Sequence, residues 1–462
     1  MNLKYIYLYF PWLFSIIIPQ AQTSFLVAWL GSFFIFYITM TGKIKLLPSD
    51  ISVKDQVLRP LFLIQTIFAG YMACSSIFYF LDSIGYTYFS YTGTYNAINK
   101  ATPRSITVCQ QYYVLAHAAL AHGILAAMNY PVKKVTEISV KSFSRFFITV
   151  GIICLPLSIL LAYLPGFSQF GKQAEGLSFV ACTLAFATSI AERDRVVTFL
   201  SGIFYLANFA KAAVSGFKEP IIISLLLLGI FLFPIYGKKL LVIFIPLFIV
   251  VFSILPTYVA TFREASWSTG QSADQAKELA LKALQESQQV SENNWQFLVN
   301  RISEISMFVQ FKDHVPNRHP YYGTKIFEQA LVAIIPRVFY PGKASTEEVV
   351  MERVYESRVV DPGSIISAKP ALVVDAYLSG GGLVVLILFF LYGYIAQLIA
   401  LKTEEIFGSY LLGTALVFTG MFQLFWRGAS LEFLINNIFW SYIGMWIFYY
   451  ILVKRKILTP VR

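Results

Sequence analysis

Charged side chains are scarce in this chain. Asp, Glu, Lys and Arg make up 13% of its 462 residues, about half of the roughly 25% found in ordinary globular domains. A soluble globule of that size could not cover its surface with so few charges, so most of this surface does not meet water. Disordered chains, coiled coils and ordinary cytosolic enzymes are thereby excluded. Cysteine is equally sparse. Cys74, Cys109, Cys154 and Cys182 are the full set. All lie in or beside apolar runs and none forms a CxxC, so neither a disulfide framework nor a thiolate zinc site is indicated. There are four histidines; His117 and His122 stand five apart in one apolar run and so point to different helix faces, where a metal pair wants three or four. His314 and His319 flank a loop beside Asp313, a weaker arrangement for metal. Phosphate-binding GxxxxGK[ST] loops, GxSxG elbows and HExxH helices are all absent from the sequence. Nucleotide hydrolysis and serine or zinc hydrolase chemistry therefore have no motif to rest on.

Apolar residues are what the chain has in excess: 57% hydrophobic, with 28 Tyr and 42 Phe, and a mean hydropathy of +0.64. Tyr and Trp favour bilayer interfaces. The composition reads as an all-α, polytopic transmembrane bundle. Twelve apolar segments approach the length needed to cross a bilayer: 4–20, 23–41, 61–83, 107–128, 145–165, 176–191, 196–214, 219–236, 239–259, 375–400, 407–425 and 432–453. Backbone polar groups within a bilayer must be satisfied internally, so each is expected to be helical. The first is short and interrupted by Pro11; with no small-residue cleavage site, it reads as a span, not a removable signal peptide.

The loops assign sides. With the N-terminus inside, 18 of the 36 basic residues fall on cytoplasmic stretches, among them Lys43, Lys45, Arg59, Lys133, Lys134, Arg145, Arg193 and Arg455. The short outer connections as far as residue 261 hold five: Lys100, Arg104, Lys172, Lys211 and Lys218. That asymmetry predicts both termini inside. It divides the chain into spans one to nine (1–261), a long, partly helical outer segment (262–374) and spans ten to twelve (375–462).

The net charge of +11 has a plain reading in positive-inside retention and anionic lipid, with no nucleic-acid partner expected. A sharper reading comes from the outer segment, which holds twelve basic residues between Arg263 and Lys369, followed by Arg427. Several sit among aromatics and prolines, as in Pro336-Arg337-Val338-Phe339-Tyr340-Pro341-Gly342-Lys343, unlike a solvated charged face. Within this segment Ser272 and Gln275 form a capping-box signature, with Glu278 four before Lys282 and a weak stripe of Ala276, Leu279, Ala283 and Leu284. A second helix is predicted from about 294, with Trp295, Leu298, Ile302 and Ile305 on one face and Arg301 and Glu304 off it. Ionisable groups at a membrane edge are costly unless they serve a ligand or a pathway. The basic residues Lys218, Arg263, Arg337, Lys343, Lys369 and Arg427 at the outer ends of spans therefore suggest a phosphate-bearing substrate, which arginine can grip in two places at once.

The order of these pieces resembles the Wzy-type polymerases of bacterial O-antigen and related polysaccharide repeat units, the enterobacterial common antigen polymerase among them. The matching pieces are Ser215-Gly216-Phe217-Lys218, Arg263, Arg301, Tyr322-Gly323, the 336–343 stretch, Ser367-Ala368-Lys369-Pro370, Ser379-Gly380-Gly381-Gly382 and Arg427, spread over about residues 205–440. Arg353 and Gly363 lie ten apart, off the Arg-then-Gly spacing of some members. The resemblance implies a multi-pass inner-membrane glycosyltransferase that acts at the periplasmic face. Its donor and acceptor would be oligosaccharides on undecaprenyl pyrophosphate, without metal, nucleotide or other cofactor; a chain-length regulator and a flippase would be accessory partners. On that reading Arg337, Arg427, Arg263 and Lys343 stabilise the departing pyrophosphate, with Lys218, Arg301 and Lys369 assisting in substrate binding. Asp375 is the first candidate base for the acceptor hydroxyl and Glu304 the second; a helix-N-terminal acid is the competing reading of Asp375. An O-antigen ligase shares this chemistry. A twelve-span transporter or flippase shares the architecture, although the two halves show no repeat, and a non-enzymatic assembly scaffold is the third class.

Overall fold

The computed structural model describes residues 3–85, 101–164, 166–213, 218–268, 270–285, 304–362 and 368–461, and among them each of the twelve apolar segments is largely helical. A 3-10 turn, Leu3–Tyr9, leads into α1 (Phe10–Ile17), where Pro11 occupies the first turn. An N–H there has no helical partner in any case, so proline starts this helix instead of breaking it. Then come α2 (Ala21–Met40), α3 (Pro60–Phe68), a π-helical turn Ala69–Cys74, α4 (Ser76–Ser83), α5 (Pro103–Ala127), α6 (Phe143–Tyr163) and α7 (Ser168–Glu192). Next are α8 (Arg195–Ala213), α9 (Lys218–Tyr236), α10 (Lys239–Arg263) and α11 (Ala273–Ala283), followed by α12 (Ile305–His314), α13 (Lys325–Ile334) and α14 (Thr346–Glu356). The chain closes with α15 (Leu372–Phe407), a π-helical run Leu411–Phe418, the short α16 (Gln423–Arg427) and α17 (Leu431–Lys454). Among the described residues, five helices are long and apolar enough to cross a membrane: Ala21–Met40, Phe143–Tyr163, Ser168–Glu192, Lys239–Ser266 and Leu372–Phe407.

The core centres on α5 packed against α15. Their backbones approach closely because both carry glycine at the crossing. A Cβ on Gly123 would stand 2.0 Å from the Phe390 carbonyl oxygen, and one on Gly393 would stand 2.2 Å from that of Leu120. Small residues at such crossings are how helices gain contact where no water drives them together. A separate apolar cluster joins α8–α11 through Ala212, Ile221, Leu255, Phe262, Ala276 and Ala280. The Ser272–Gln275 capping box and the Glu278–Lys282 pair (2.8 Å) are both present in α11. The buried stripe differs from expectation: Ala276 and Ala280 face α10 while Leu279 is exposed. Of the predicted 294–305 helix, Ile305 is buried at the start of α12; Trp295, Leu298, Arg301 and Ile302 lie outside the described residues.

The connecting loops tie the helices together at the two ends of the bundle. At one end a two-stranded antiparallel ribbon pairs Thr136–Ile138 with Leu458–Pro460. The Val135 N–H donates to the Glu405 carbonyl at 2.9 Å, and Thr136 Oγ1 to Ile406 at 2.7 Å. Lys45 caps the end of α5 by donating to the Leu125 carbonyl at 2.8 Å, and Arg145 pairs with Asp194. Arg59 is buried here between Asp50 and Glu404, with the Tyr130 ring stacked 3.6 Å from its guanidinium carbon. At the other end Arg104 reaches the Pro19 carbonyl, Lys211 pairs with Glu175 and Ser105 donates to Asp313 at 3.2 Å. The Trp440 indole donates to the Ile334 carbonyl at 3.0 Å. Helix α15 links the two ends. From Gly382, just past an interruption at Gly380 and Gly381, to Glu404, at 1.5 Å per residue, is about 33 Å, close to the thickness of a bilayer's hydrocarbon core.

Candidate functional site

The first turn of α15 is held by a buried ion triad. Arg353 Nε and Nη2 donate to Asp375 Oδ1 at 3.1 and 2.8 Å. Its Nη1 and Nη2 donate to Glu432 Oε1 and Oε2 at 2.6 and 2.9 Å. The Leu431 N–H donates to Asp375 Oδ2 at 2.8 Å. Arg353 is 2% exposed, Asp375 and Glu432 0%. Burial by itself would loosen the guanidinium proton, but Asp375 and then Glu432 more than offset it and hold its pKa above the usual value. Local sequence delivers each member. Ser345 and Glu348 form a capping box that starts α14, whose buried face of Val350, Met351 and Val354 carries Arg353 inward. Asp375 and Glu432 stand in the first turns of α15 and α17, where an acid is favoured by the helix dipole.

A second feature lies one turn further along α15. Gly380 and Gly381 interrupt the helix, and Gly381 has φ +67° and ψ −152°, a region essentially reserved for glycine. The break releases the Leu378 carbonyl, which accepts from the Tyr322 N–H at 2.9 Å. Tyr321 Oη sits 3.1 Å from where a Gly381 Cβ would stand, and the Tyr322 hydroxyl donates to Glu356 at 2.6 Å. Burial first, then that hydrogen bond, raises the Tyr322 pKa. The Tyr321-Tyr322-Gly323 loop thus props the broken helix, and the neighbouring Tyr377 hydroxyl fixes the loop start by donating to Val315 at 2.9 Å.

Four of the cations expected from sequence border this structure. Lys343 donates to the carbonyls of Val332, Ala333 and Ile335 at 3.2, 3.0 and 2.7 Å, closing the C-terminal end of α13. Partial burial and then the adjacent Arg337 lower its pKa. Lys343 also lines a cavity of about 210 Å³ with Gln329, Tyr340, Thr346 and the triad's Glu432. Arg337 is exposed in the α13–α14 connection. Lys369 pairs with Glu347 at 3.3 Å and lies 4.6 Å from the Phe433 ring. Arg427 ends α16 and lines a small apolar cleft with Phe68, Leu372, Tyr392 and Trp426; the next residue, Gly428, accepts from the Leu372 N–H at 3.3 Å.

Other expectations are redistributed. Asp375 is not at an open mouth: it is fully buried and both carboxylate oxygens already accept hydrogen bonds, so it is placed to hold helices together rather than to take a proton from a substrate. Arg263 ends α10 beside the separate α8–α11 cluster and lines neither cavity. Glu304 is half-buried at the start of α12. The backbone of Lys218 opens α9; its side chain, residues 215–217, Arg301, Gly363 and Ser367 lie outside what is described. His117 bonds Gln65 at 3.1 Å and His122 bonds Tyr9 at 3.0 Å, on different faces. Sequence reasoning missed Arg353 and Glu432 as site residues. The signal was present in each: an arginine within the apolar face of α14, and an acid inside an apolar run.

No curated protein and no solved structure matches the chain. One family model, described as a domain of unknown function (DUF8712), matches residues 10–460. The chain therefore belongs to the DUF8712 family over nearly its whole length.

Proposed function

We propose that this chain is a membrane glycosyltransferase that polymerises lipid-linked oligosaccharide repeats, with twelve spans, both termini cytoplasmic and the site at the outer face of a bacterial inner membrane. The observation that carries the reading is that Lys343 and Lys369 lie by the start of α17 and Arg427 by the start of α15, with Arg337 exposed in the loop that leads to Lys343. Cations fixed at a membrane edge suit a doubly charged pyrophosphate whose lipid tail stays in the bilayer. In the reaction, the acceptor hydroxyl oxygen bonds to the anomeric carbon, the bond from that carbon to the pyrophosphate breaks, and lipid pyrophosphate leaves with the electron pair. Preorganised cations in a partly desolvated place stabilise that leaving charge. Arg337 and Arg427 have this role, with Lys343 and Lys369 contributing to substrate binding and Lys218, Arg263 and Arg301 assigned there from sequence order alone. Asp375 acts as a positioning residue through Arg353, and Glu304 is assigned the acceptor's proton.

Deletion of the gene in its own host, followed by a gel of surface polysaccharide, tests the assignment. Loss of a polymerase leaves carrier plus a single repeat. Carrier alone would point to a ligase, and an unchanged ladder would remove the polysaccharide reading altogether.

A further inference from the structure

The sequence places the whole of 262–374 in water outside the membrane, yet the surface of residues 331–340 does not suit water. Helix α13 buries Ile326, Ala330 and Ala333 and packs along α17. On its other side Leu331 (63% exposed), Val332 and Ile335 face outward, continued by Val338, Phe339 (79% exposed) and Tyr340. Six large apolar side chains in ten residues form a contiguous patch of the kind that marks an interaction surface.

The neighbours of the patch identify what covers it. Val338 packs on Gly166, where an added Cβ would come within 2.2 Å of its Cγ2. Gly166 follows α6, one of the helices apolar and long enough to cross a bilayer, whose outward side chains Ile159, Leu160 and Tyr163 are exposed. Trp440 of α17 holds the Ile334 carbonyl, packs edge-on to Phe170 at 4.9 Å, and adjoins the exposed Phe439 and Tyr442. The patch is therefore continuous with the outward apolar faces of α6 and α17. Arg337 and Lys343 interrupt and end it, as cations do at the polar boundary of an interfacial helix.

We infer that the end of α13 and the loop that follows, residues 331–340, are inserted into the outer leaflet of the bilayer, with Arg337 at the depth of the lipid headgroups. The occupant of this face is phospholipid. The inference rests on exposure and packing and, for the choice of leaflet alone, on the proposed orientation; it does not use the proposed reaction.

The test is nitroxide labelling of single cysteines in the full chain, reconstituted in phosphatidylethanolamine–phosphatidylglycerol vesicles, with the unsubstituted protein as the background for its four native cysteines. Labels at Leu331→Cys and Phe339→Cys should collide with oxygen in preference to an aqueous nickel chelate, with the same ratio as a label at Ile159→Cys. A label at the exposed loop residue Asn317→Cys should show the reverse preference. Ile335→Cys supplies a further position if either variant inserts poorly. A patch label that matches Asn317→Cys would overturn the inference by placing the patch in water. One shielded from both reagents would overturn it by placing a protein partner or second copy there.

Discussion

Removing Arg353 is the perturbation that the fold should tolerate least. Its guanidinium makes four charge-assisted hydrogen bonds to two carboxylates, each fully buried. Arg353→Ala leaves Asp375 and Glu432 facing one another without a counter-charge. Breaking a buried pair in this way costs about 3–5 kcal/mol, a large share of a total stability of roughly 5–15 kcal/mol. Arg353→Lys should recover part of the loss, because charge returns but the planar fork does not. Replacing all three together, as Arg353→Met, Asp375→Leu and Glu432→Met, should be milder than the single change, since no unpaired charge remains buried; the stranded Leu431 N–H retains a cost of about 1–3 kcal/mol. The comparison is Lys325→Ala, which breaks a half-exposed pair with Glu352 at 3.7 Å and should cost under about 1 kcal/mol. Thermal unfolding of the detergent-solubilised protein, followed by monodisperse peak height, ranks the four variants. Arg353→Ala unfolding with Lys325→Ala, or the triple variant falling below Arg353→Ala, would refute the argument that the triad pins α14, α15 and α17 together.

Two further outcomes follow from the same geometry. Gly381→Ala forces a side chain into a backbone conformation that costs about 1–3 kcal/mol and onto the Tyr321 hydroxyl; it should lower the unfolding midpoint, and adding Tyr321→Ala should restore little, since backbone strain persists. Reporter fusions after Lys239 and at Lys456 should report cytoplasm and one near Lys277 should report the outer side; an outer-segment fusion reporting cytoplasm would sink the orientation and the site together.

Hydropathy made the helices legible, because a segment that must satisfy its own backbone in lipid shows itself by composition alone. The loop cations have structural partners that their charge alone did not announce: Lys45 caps α5, Arg59 is buried against Glu404, and Arg145 pairs with Asp194. The triad was harder to read because Asp375 and Glu432 lie 22 and 79 residues from Arg353, so that no local spacing relates them. Ser379-Gly380-Gly381-Gly382 stood out as a run of small residues, but its purpose depends on the Tyr321-Tyr322 loop some sixty residues earlier, which supplies the N–H that the break requires. Lys343 shows the converse. Sequence marked it as an anion ligand, and its ammonium is also the cap of α13, a use that only the fold of the 336–343 loop creates.

Polymer length, measured in cells that carry Arg337→Ala or Arg427→Ala at matched membrane abundance, tests the central claim most directly. Loss of one preorganised donor to a leaving group slows turnover by about 10²–10³. Each variant should therefore shorten the polysaccharide ladder toward the single-repeat band, with Arg→Lys recovering only part. Full-length polymer from normally abundant Arg→Ala protein would contradict the assignment of these cations to the departing pyrophosphate.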